Sequence, residues 1–442
     1  MTNRQSFLNH IAQTSSAPPA LEIKSGKGVY LYGADGKKYV DLISGISVSN
    51  VGHGNPKIVN AIKKQLSKYS YLMVYGEYVV TPQIEYAKLL CNYLPGKLNN
   101  VYYVSSGSEA VEGALKLAKR YSGRTEIIAF KNGYHGSTHG ALSVMGNEDM
   151  KQAFRPLLPD VRFLEFNNEN DLKQISSQTA CVIIEPIQGE AGVILPAPAL
   201  KGEIQQPLLG RSERTPPRRE LLRSSEAAKN FLQLLRKRCD ETGALLIFDE
   251  IQTGMGRTGE LFAFEKYKAI PDILCLAKAF GGGMPLGAFV SSKEIMSTLS
   301  FNPVLGHITT FGGHPLSCVA GMEALKIICN RPSPKGSKKN IVMLNKETGS
   351  PLGAGGKGEL FKKLLVHPRI KEVRGEGLLL AVQFASEEEN KKIISKCVEN
   401  GVITDWFLFN PSSMRIAPPL IISEKEIRKS CEIILKCIDT AQ

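Results

Sequence analysis

The sequence predicts an α/β protein in which a mostly parallel sheet is flanked by helices and joined to a smaller α+β domain. From residue 56 onward, helical and strand patterns alternate, which is typical of parallel sheets covered on both faces. Near the carboxyl terminus the pattern changes to short strands and two helices. The 442 residues also exceed the roughly 250–300 at which a single hydrophobic core stops growing. We therefore expect two domains.

The domain boundaries follow from these changes of pattern. Residues 56–330 are expected to form the large domain, and residues 358–442 the small one. Residues 1–55 contain two strand patterns, 29–32 and 38–41, around an Asp-Gly turn. We expect this N-terminal segment to pack with the small domain.

The elements are predicted from hydrophobic periodicity and turn residues. In the large domain they are helices 56–69 and 82–93, strand 101–104, helix 108–121, strands 126–130, 161–166 and 181–184, helix 227–242, and strands 244–248, 272–276 and 286–290. In the small domain they are strands 370–374, 378–384 and 413–416 and helices 387–399 and 424–438.

Two basic segments interrupt this scheme and carry much of the net charge of +13. Residues 201–229 contribute +3 and residues 331–357 contribute +5. Both contain prolines and read as loops, and loops longer than about 12–15 residues are uncommon in compact domains. We interpret them as insertions. Neither alternates aromatic with basic residues as single-strand binders do, so no nucleic-acid partner is predicted.

Several classes of function are disfavoured by the composition. No apolar run approaches the roughly 18–20 residues of a membrane span, and the N-terminus lacks the apolar stretch of a signal peptide. A cytoplasmic location without a membrane partner is therefore expected. The nine cysteines form no CxxC pair, and no His/Cys cluster has metal-ligand spacing. We predict reduced thiols and no metal site.

The strongest candidate for chemistry is a polar cluster at the ends of two apolar strands. Asp249 and Gln252 follow one strand, and Lys278 follows the next. Ligands bind at this edge of parallel sheets. Burial of a lysine is costly, but it lowers the lysine pKa and exposes a nucleophilic amine that can form a Schiff base. The alternative is a solvated loop lysine beside an aspartate that caps a helix.

Two further loops could hold a ligand. The strand–turn–helix around Gly107 and Ser108 places amides at a helix N-terminus, where phosphate binds, although an ordinary helix cap explains it equally well. Tyr134 and His135 lie between two glycines after a strand. The tyrosine could stack on a flat cofactor, or both residues could belong to the core.

One motif is misleading. Residues 254–259 match G-x-G-x-x-G, but other residues separate them from the preceding strand, and neither a convincing βαβ unit nor a second strand ending in an acidic residue follows. A nicotinamide cofactor is therefore not predicted. Residues 355–358 lack the first glycine and the hydroxyl residue of a P-loop, so they predict no nucleotide site either.

Together these residues give the chain its resemblance to the class III aminotransferases, the family of ornithine, acetylornithine and 4-aminobutyrate aminotransferases. The resemblance covers residues 28–423 apart from the two basic segments. Its most specific part is the stretch from Leu246 to Lys278, and it is supported by segments 106–114, 185–190, 309–313 and 415–419.

The resemblance implies pyridoxal phosphate as cofactor, fold type I and a homodimer with shared active sites. Lys278 would hold the cofactor as a Schiff base and move protons, Asp249 would pair with the ring nitrogen, and Gln252 would contact the ring hydroxyl. Arg415 would receive a substrate carboxylate, and Glu190 would pair with Arg415 otherwise. The implied cofactor-binding residues are Gly107, Ser108, Tyr134, His135, Glu185, Asp249, Gln252, Lys278 and, from the neighbouring subunit, Thr310.

The chain departs from the family pattern at two positions. Ser137 stands where ornithine and acetylornithine enzymes usually carry an arginine for a second substrate carboxylate, and only a residue such as Lys131 or Arg155 could replace that charge. His314 stands where asparagine is common. The expected reaction is transfer of an amino group from an amine or amino acid to a 2-oxo acid. The alternatives are an aminomutase or racemase with the same cofactor, and a non-enzymatic protein of the same fold.

Overall fold

The computed structural model describes residues 1–16, 18–74, 76–198, 230–329 and 353–441. The predicted insertion at 201–229 and residues 331–352 of the second basic segment lie outside the described residues.

The helices of the described residues are α1 (Asn3–His10), α2 (Ser44–Ser47), α3 (Pro56–Leu66), α4 (Thr81–Cys91), α5 (Gly107–Ser122), α6 (His139–Ser143), α7 (Phe231–Thr242), α8 (Ala263–Tyr267), α9 (Lys293–Ser297), α10 (Pro315–Cys329), α11 (Ala354–Leu364), α12 (Glu387–Glu399) and α13 (Glu424–Thr440). The strands are β1 (Ile23–Lys27), β2 (Tyr30–Gly33), β3 (Lys38–Asp41), β4 (Asn100–Val104), β5 (Glu126–Phe130), β6 (Val161–Leu164), β7 (Thr179–Ile184), β8 (Leu245–Asp249), β9 (Ile273–Leu276), β10 (Gly287–Ser291), β11 (Glu372–Glu376), β12 (Leu379–Gln383), β13 (Val402–Ile403), β14 (Asp405–Phe407) and β15 (Asn410–Ile416).

A seven-stranded sheet organises the large domain, in the order β4-β10-β9-β8-β7-β5-β6. The pairs from β9 to β6 are parallel, whereas β10 is antiparallel to both of its neighbours. The predicted mostly parallel sheet is confirmed. It fixes one edge at which the carboxyl ends of β7, β8 and β9 lie side by side.

The central strands are buried on both faces because their residues alternate between two hydrophobic clusters. Ile247 and Cys275 pack on one face with α5, and Phe248 and Leu274 pack on the other with α7. These unbroken apolar runs are typical of a sheet covered on both faces. They leave polar side chains only where the strands end.

Two smaller sheets surround the C-terminal part of the chain. One has the order β1-β2-β3-β13, and the other has the order β11-β12-β15-β14. Val40 of β3 pairs in parallel with Val402 of β13, so the N-terminal segment contacts the C-terminal part through hydrogen bonds. The two-residue and three-residue strands β13 and β14 are too short to give a periodic sequence signal.

The helix α11 corrects the predicted limit of the second basic segment. Its N-cap is Gly353 and it begins at Ala354, so the prediction of a loop up to residue 357 is wrong for residues 354–357. Glycines disfavour helix, but packing overrides this preference here. Lys357 is buried, and its Nζ donates to the carbonyl oxygen of Leu420 at 3.0 Å.

None of the helices in the described ranges combines the length and the apolar character needed to cross a bilayer. Within the same ranges, no group of three or more His, Cys, Asp or Glu side chains is arranged to hold a metal ion.

Candidate functional site

A cavity lies at the edge of the large sheet where its parallel strands end. Asp249 is the last residue of β8, and Lys278 follows β9 after Ala277. Because Asp249 lies opposite Cys275 in a parallel pair, Asp249 and Lys278 reach the same edge. The amino end of α5 contributes Gly107 to this cavity.

The cavity has a volume of about 430 Å³ and brings together eight of the nine predicted cofactor residues. It is lined by Val48, Ser105, Ser106, Gly107, Ser108, Tyr134, His135, Gly136, Glu185, Asp249, Ile251, Gln252, Ala277, Lys278, Gly283, Met284, Pro285 and Leu286. The apolar members from Met284 to Leu286 and Ile251 were not predicted, because apolar loop residues carry no chemical signal in a sequence.

Lys278 starts a short 3-10 turn and has a backbone φ of +50°, in the left-handed region. Such strain at a residue other than glycine is concentrated at functional sites. Its side chain is half-buried against the cavity. Burial lowers the pKa of the Lys278 amine from the usual 10.5, although the negative charge of Glu190 acts in the opposite direction. The neutral, nucleophilic amine is therefore easier to reach than in an exposed lysine.

Both oxygens of the buried Asp249 carboxylate have partners. Oδ2 accepts from Nδ1 of His135 at 2.8 Å, and Oδ1 accepts from the backbone N–H of Ile251 at 3.1 Å. The side chains of His135 and Asp249 are only 1% and 4% exposed. A carboxylate oxygen has a second lone pair, so Asp249 can still accept a proton donor from the cavity.

Two buried polar atoms of the cavity have no hydrogen-bond partner among the described residues. They are Nε2 of Gln252 and Nε2 of His135. A buried polar atom without a partner costs about 1–3 kcal/mol. A polar ligand in the cavity would remove this cost.

The amino end of α5 is shaped to receive an anion. Oγ of Ser106 accepts from the N–H of Glu109 and caps the helix, and Gly107 and Ser108 of the first turn line the cavity. Gly136 has a φ of +121°, and a Cβ there would lie closer than 3.0 Å to Ser108. The glycine lets its loop approach the helix N-terminus, where the helix dipole favours negative charge.

Glu185 ties the Tyr134 loop to the sheet edge. Its Oε2 accepts from the N–H of Tyr134 at 2.9 Å, and its Oε1 accepts from the N–H of Gly189 at 3.2 Å. Burial raises the pKa of Glu185 to about 7, while the nearby charge of His135 acts in the opposite direction. Glu185 thus fixes the half-buried Tyr134 at the cavity wall.

Arg415 and Glu190 form a buried ion pair beside the cavity. Nη1 and Nη2 of Arg415 donate to the two oxygens of Glu190 at 2.8 and 2.9 Å. Their side chains are 1% and 5% exposed. The positive charge of Arg415 lowers the pKa of the Lys278 amine, and the negative charge of Glu190 raises it. The predicted pairing of Glu190 with Arg415 is present in the structure.

Arg415 has a second charged partner, Asp405, which was not predicted from the sequence. Oδ1 of Asp405 accepts from Nε of Arg415 at 2.8 Å. The two residues lie opposite each other on the antiparallel strands β14 and β15. Only this strand pairing brings them together, so spacing along the chain gave no signal.

Thr310 is the predicted cofactor residue that does not line the cavity. Thr310 is exposed, and its carbonyl oxygen accepts from the hydroxyl of Tyr71 at 2.8 Å. Within one chain, Thr310 therefore stays apart from Lys278 and Asp249.

No second cationic side chain of the described residues replaces the charge missing at Ser137. Ser137 is exposed, and its N–H donates to Oγ of Ser108 at 3.4 Å. Lys131 is paired with Glu165, and Arg155 with Glu148. Neither Lys131 nor Arg155 lines the cavity.

The misleading glycine motif has a structural role. Arg257 is completely buried, and its Nη1 donates to the carbonyl oxygens of Leu378 and Pro418 at 2.9 and 2.6 Å. The segment 254–259 therefore connects the large-domain residues to the C-terminal part of the chain.

The residues present fit pyridoxal phosphate. The cavity offers an amine for an aldehyde, a carboxylate for a protonated ring nitrogen, and a helix N-terminus for a phosphate. The unpartnered Nε2 of Gln252 is a donor for an oxygen of the ring.

Comparisons with known proteins identify relatives of this chain. A family model described as aminotransferase class-III matches residues 11–206 and 225–438. The acetylornithine aminotransferase of Clostridium acetobutylicum is 38% identical over 424 residues, which are 93% of this chain and 95% of that protein. The acetylornithine aminotransferase of Methanopyrus kandleri is 35% identical over 410 residues, which are 92% of this chain and 91% of that protein.

A similar fold is seen in the ornithine aminotransferase of Toxoplasma gondii, whose crystal structure has pyridoxal phosphate at partial occupancy in the active site. The TM-score is 0.81 with 27% sequence identity, and the match covers 99% of this chain and 93% of that chain.

Proposed function

Because this chain belongs to the class III aminotransferase family and is a transaminase that depends on pyridoxal phosphate, we propose that Lys278 holds the cofactor covalently through Nζ. The observation that carries this proposal is the lysine amine with a lowered pKa, held beside the carboxylate of Asp249 at the sheet edge. The same amine, once free, could act as the general base and the general acid of the proton shift that transamination requires.

The other lining residues bind and orient the cofactor in this proposal. Asp249 keeps the ring nitrogen protonated, and His135 holds Asp249 in place from Nδ1. Gln252 donates from Nε2 to the ring hydroxyl, Tyr134 covers a ring face, and the amides of Gly107 and Ser108 bind the phosphate. When bound, pyridoxal phosphate supplies an electron sink for the charge that develops on the substrate.

Arg415 and Glu190 are proposed to read the far end of the substrate. Arg415 receives a carboxylate when the substrate has one, and Glu190 occupies Arg415 when it has none. Their bidentate pair in the structure supports the second state. A bidentate guanidinium–carboxylate contact is also the geometry that a substrate carboxylate would adopt.

The proposed substrates are an ω-amine or amino acid with a single carboxylate as donor and a 2-oxo acid as acceptor. The relatives named as acetylornithine and ornithine aminotransferases support donors of this kind. Ser137 carries no charge, and Lys131 and Arg155 pair with Glu165 and Glu148. Arg415, whose charge acts on Lys278, is therefore the proposed carboxylate-binding cation. Among the described residues of one chain, neither Lys131 nor Arg155 is then left to bind a second substrate carboxylate.

We further propose a homodimer in which Thr310 completes the phosphate site of the neighbouring subunit. Thr310 is exposed and does not line the cavity of its own chain. The hydroxyl of Tyr71 donates to the carbonyl oxygen of Thr310. The exposed apolar side chains close to Tyr71 or Thr310 along the chain support a protein partner: Tyr71, Tyr78, Val79, Phe301, Val304, Leu305, Ile308 and Phe311.

The test is to replace Lys278 with Ala and Lys131 with Ala as a matched surface control. After addition of pyridoxal phosphate, the wild type and the control should show the absorbance of the lysine-bound cofactor and lose it with an amino donor. Borohydride followed by peptide mass analysis should find the cofactor on Lys278. We expect Lys278→Ala to lose transfer by several orders of magnitude while remaining folded. Retained turnover in that variant would refute the proposed role.

A further inference from the structure

The strand β14 surrounds Arg415 with all three of its residues. Asp405 accepts from Nε at 2.8 Å, and the carbonyl oxygen of Trp406 accepts from Nη2 at 3.1 Å. The ring of Phe407 lies under the guanidinium, with 4.4 Å between the ring centroid and Cζ. One face and one edge of the guanidinium are therefore held by a single strand.

Glu190 occupies a different edge of the same guanidinium. It accepts from Nη1 and Nη2, at the end of the arginine side chain. Departure of Glu190 would remove two hydrogen bonds but leave those to Asp405 and Trp406 and the contact with Phe407. The guanidinium would then keep its orientation with its end edge open.

We propose that Asp405 is a positioning residue, which holds Arg415 from Nε so that Glu190 and a substrate carboxylate can exchange at the end edge. This inference rests on the proposed role of Arg415 as receiver of the substrate carboxylate. Asp405 itself does not touch the substrate in this scheme, since its carboxylate lies on the Nε side of the guanidinium.

Positioning, rather than charge, is the expected contribution of Asp405. Glu190 and a substrate carboxylate carry the same charge and occupy the same edge. Removal of the Asp405 charge would strengthen the hold of Arg415 on both by similar amounts, so the effects largely cancel in the exchange. Loss of the guanidinium orientation would affect the two carboxylates unequally. Glu190 is attached to this chain, whereas a substrate carboxylate binds well only to a guanidinium that is already oriented for two hydrogen bonds.

The experiment compares Asp405→Ala with Asp405→Asn, since asparagine keeps an acceptor for Nε without the charge. The donors are 4-aminobutyrate and butylamine, which differ only in the carboxylate. Single-turnover loss of the cofactor absorbance gives an apparent Kd for each donor. Calorimetric titration with butyrate gives a Kd that needs no turnover. Asp439→Ala removes an aspartate from a surface contact with His367 and is the matched control.

We expect Asp405→Ala to raise the Kd of 4-aminobutyrate and of butyrate by about tenfold, as expected for a lost hydrogen bond to a charged group. The apparent Kd of butylamine should change by less than about twofold. Asp405→Asn and the control should stay near the wild type. Phe407→Leu, which removes the aromatic face, should weaken the two carboxylates in the same selective way and serves if Asp405→Ala does not fold.

Equal weakening of butylamine and 4-aminobutyrate would mean a merely structural role and would overturn the inference. The same loss in Asp405→Asn as in Asp405→Ala would assign the effect to charge and would overturn it too. If the wild type reacts with neither donor, the proposed class of amino donor is wrong, while the butyrate titration still decides the role of Asp405. If butyrate does not bind to the wild type, Arg415 is not a carboxylate site and the inference is overturned.

Discussion

At the scale of single residues, the reactivity of Lys278 reflects opposing influences of its surroundings. Burial lowers the pKa of its amine, as does the positive charge of Arg415, whereas the charges of Glu190 and Asp249 raise it. The burial effect is the largest, so the net direction is downward. Glu190 consequently has two effects in this site, since it neutralises Arg415 and also restrains the pKa of the lysine.

The first prediction concerns the pH dependence of cofactor attachment. Only the neutral amine attacks an aldehyde, so the rate should rise with pH and level off above the lysine pKa. Because that pKa is lowered, the midpoint should lie below 10.5. Glu190→Gln should move the midpoint further down, since it removes a negative charge that stabilises the ammonium. Stopped-flow absorbance of the apo protein mixed with pyridoxal phosphate measures both midpoints.

An upward movement of the midpoint in Glu190→Gln would contradict this electrostatic account. Asp439→Asn, which changes a charge at a distant surface pair with His367, should leave the midpoint unchanged.

Candidate site residues could be predicted from the sequence where they lie at the end of a strand. Asp249 and Lys278 each follow an unbroken apolar strand, so a parallel sheet alone placed them together. The function of Asp405 could not be predicted in this way. It depends on the pairing of β14 with β15, and hydrophobic periodicity does not specify the partner of a three-residue strand.

At the scale of elements, α5 connects the core to the cavity. Its amino end lies at the cavity, and its apolar side packs against the sheet. Gly113 makes this packing close, because a Cβ at that position would lie closer than 3.0 Å to ring atoms of Phe289 in β10. The small residue therefore determines how near the helix lies to the sheet.

The second prediction compares one substitution in two helices. Gly113→Ala should destabilise the protein by about 1–3 kcal/mol, since overpacking against the buried Phe289 ring exceeds the gain in helix propensity of roughly 1 kcal/mol. Gly355→Ala in α11 meets no atom within 4 Å, so it should be neutral or stabilising. Calorimetric unfolding of the two variants measures both effects. An unchanged Tm for Gly113→Ala would show that α5 moves away from the sheet without cost.

Element boundaries were predicted best where a cap or a strong period marked them. Helix α12 has the predicted limits, Glu387–Glu399, because Ser386 caps it and acidic residues fill its first turn. Helix α11 was not predicted, since Gly355 and Gly356 disfavour helix locally. Burial of Lys357 and Phe361 against the rest of the chain holds that helix, and local sequence does not report such contacts.

At the scale of the whole molecule, two exposed apolar segments frame Thr310. Val79 is 88% exposed and Val304 is 70% exposed. The ring centroids of Tyr71 and Phe311 are 5.3 Å apart. This contact connects the segment that contains Tyr71 and Val79 to the one that contains Val304 and Phe311. Extended apolar exposure of this kind marks protein interaction sites. A second copy of the chain would cover it and bring Thr310 to another cavity, as the proposed dimer requires.

The last prediction follows from this placement. Val304→Asp should shift the protein toward monomer, since a buried carboxylate without a partner opposes association. Because Thr310 then no longer reaches a second site, the affinity for pyridoxal phosphate should fall about tenfold, the usual value of a hydrogen bond to a charged group. Sedimentation velocity and fluorescence titration measure the two effects. Val366→Asp is the matched control, because Val366 is 75% exposed but lies between α11 and β11, and it should change neither. A Val304→Asp protein that stays dimeric would place the interface elsewhere, whereas a monomer with unchanged cofactor affinity would show that each subunit holds its phosphate alone.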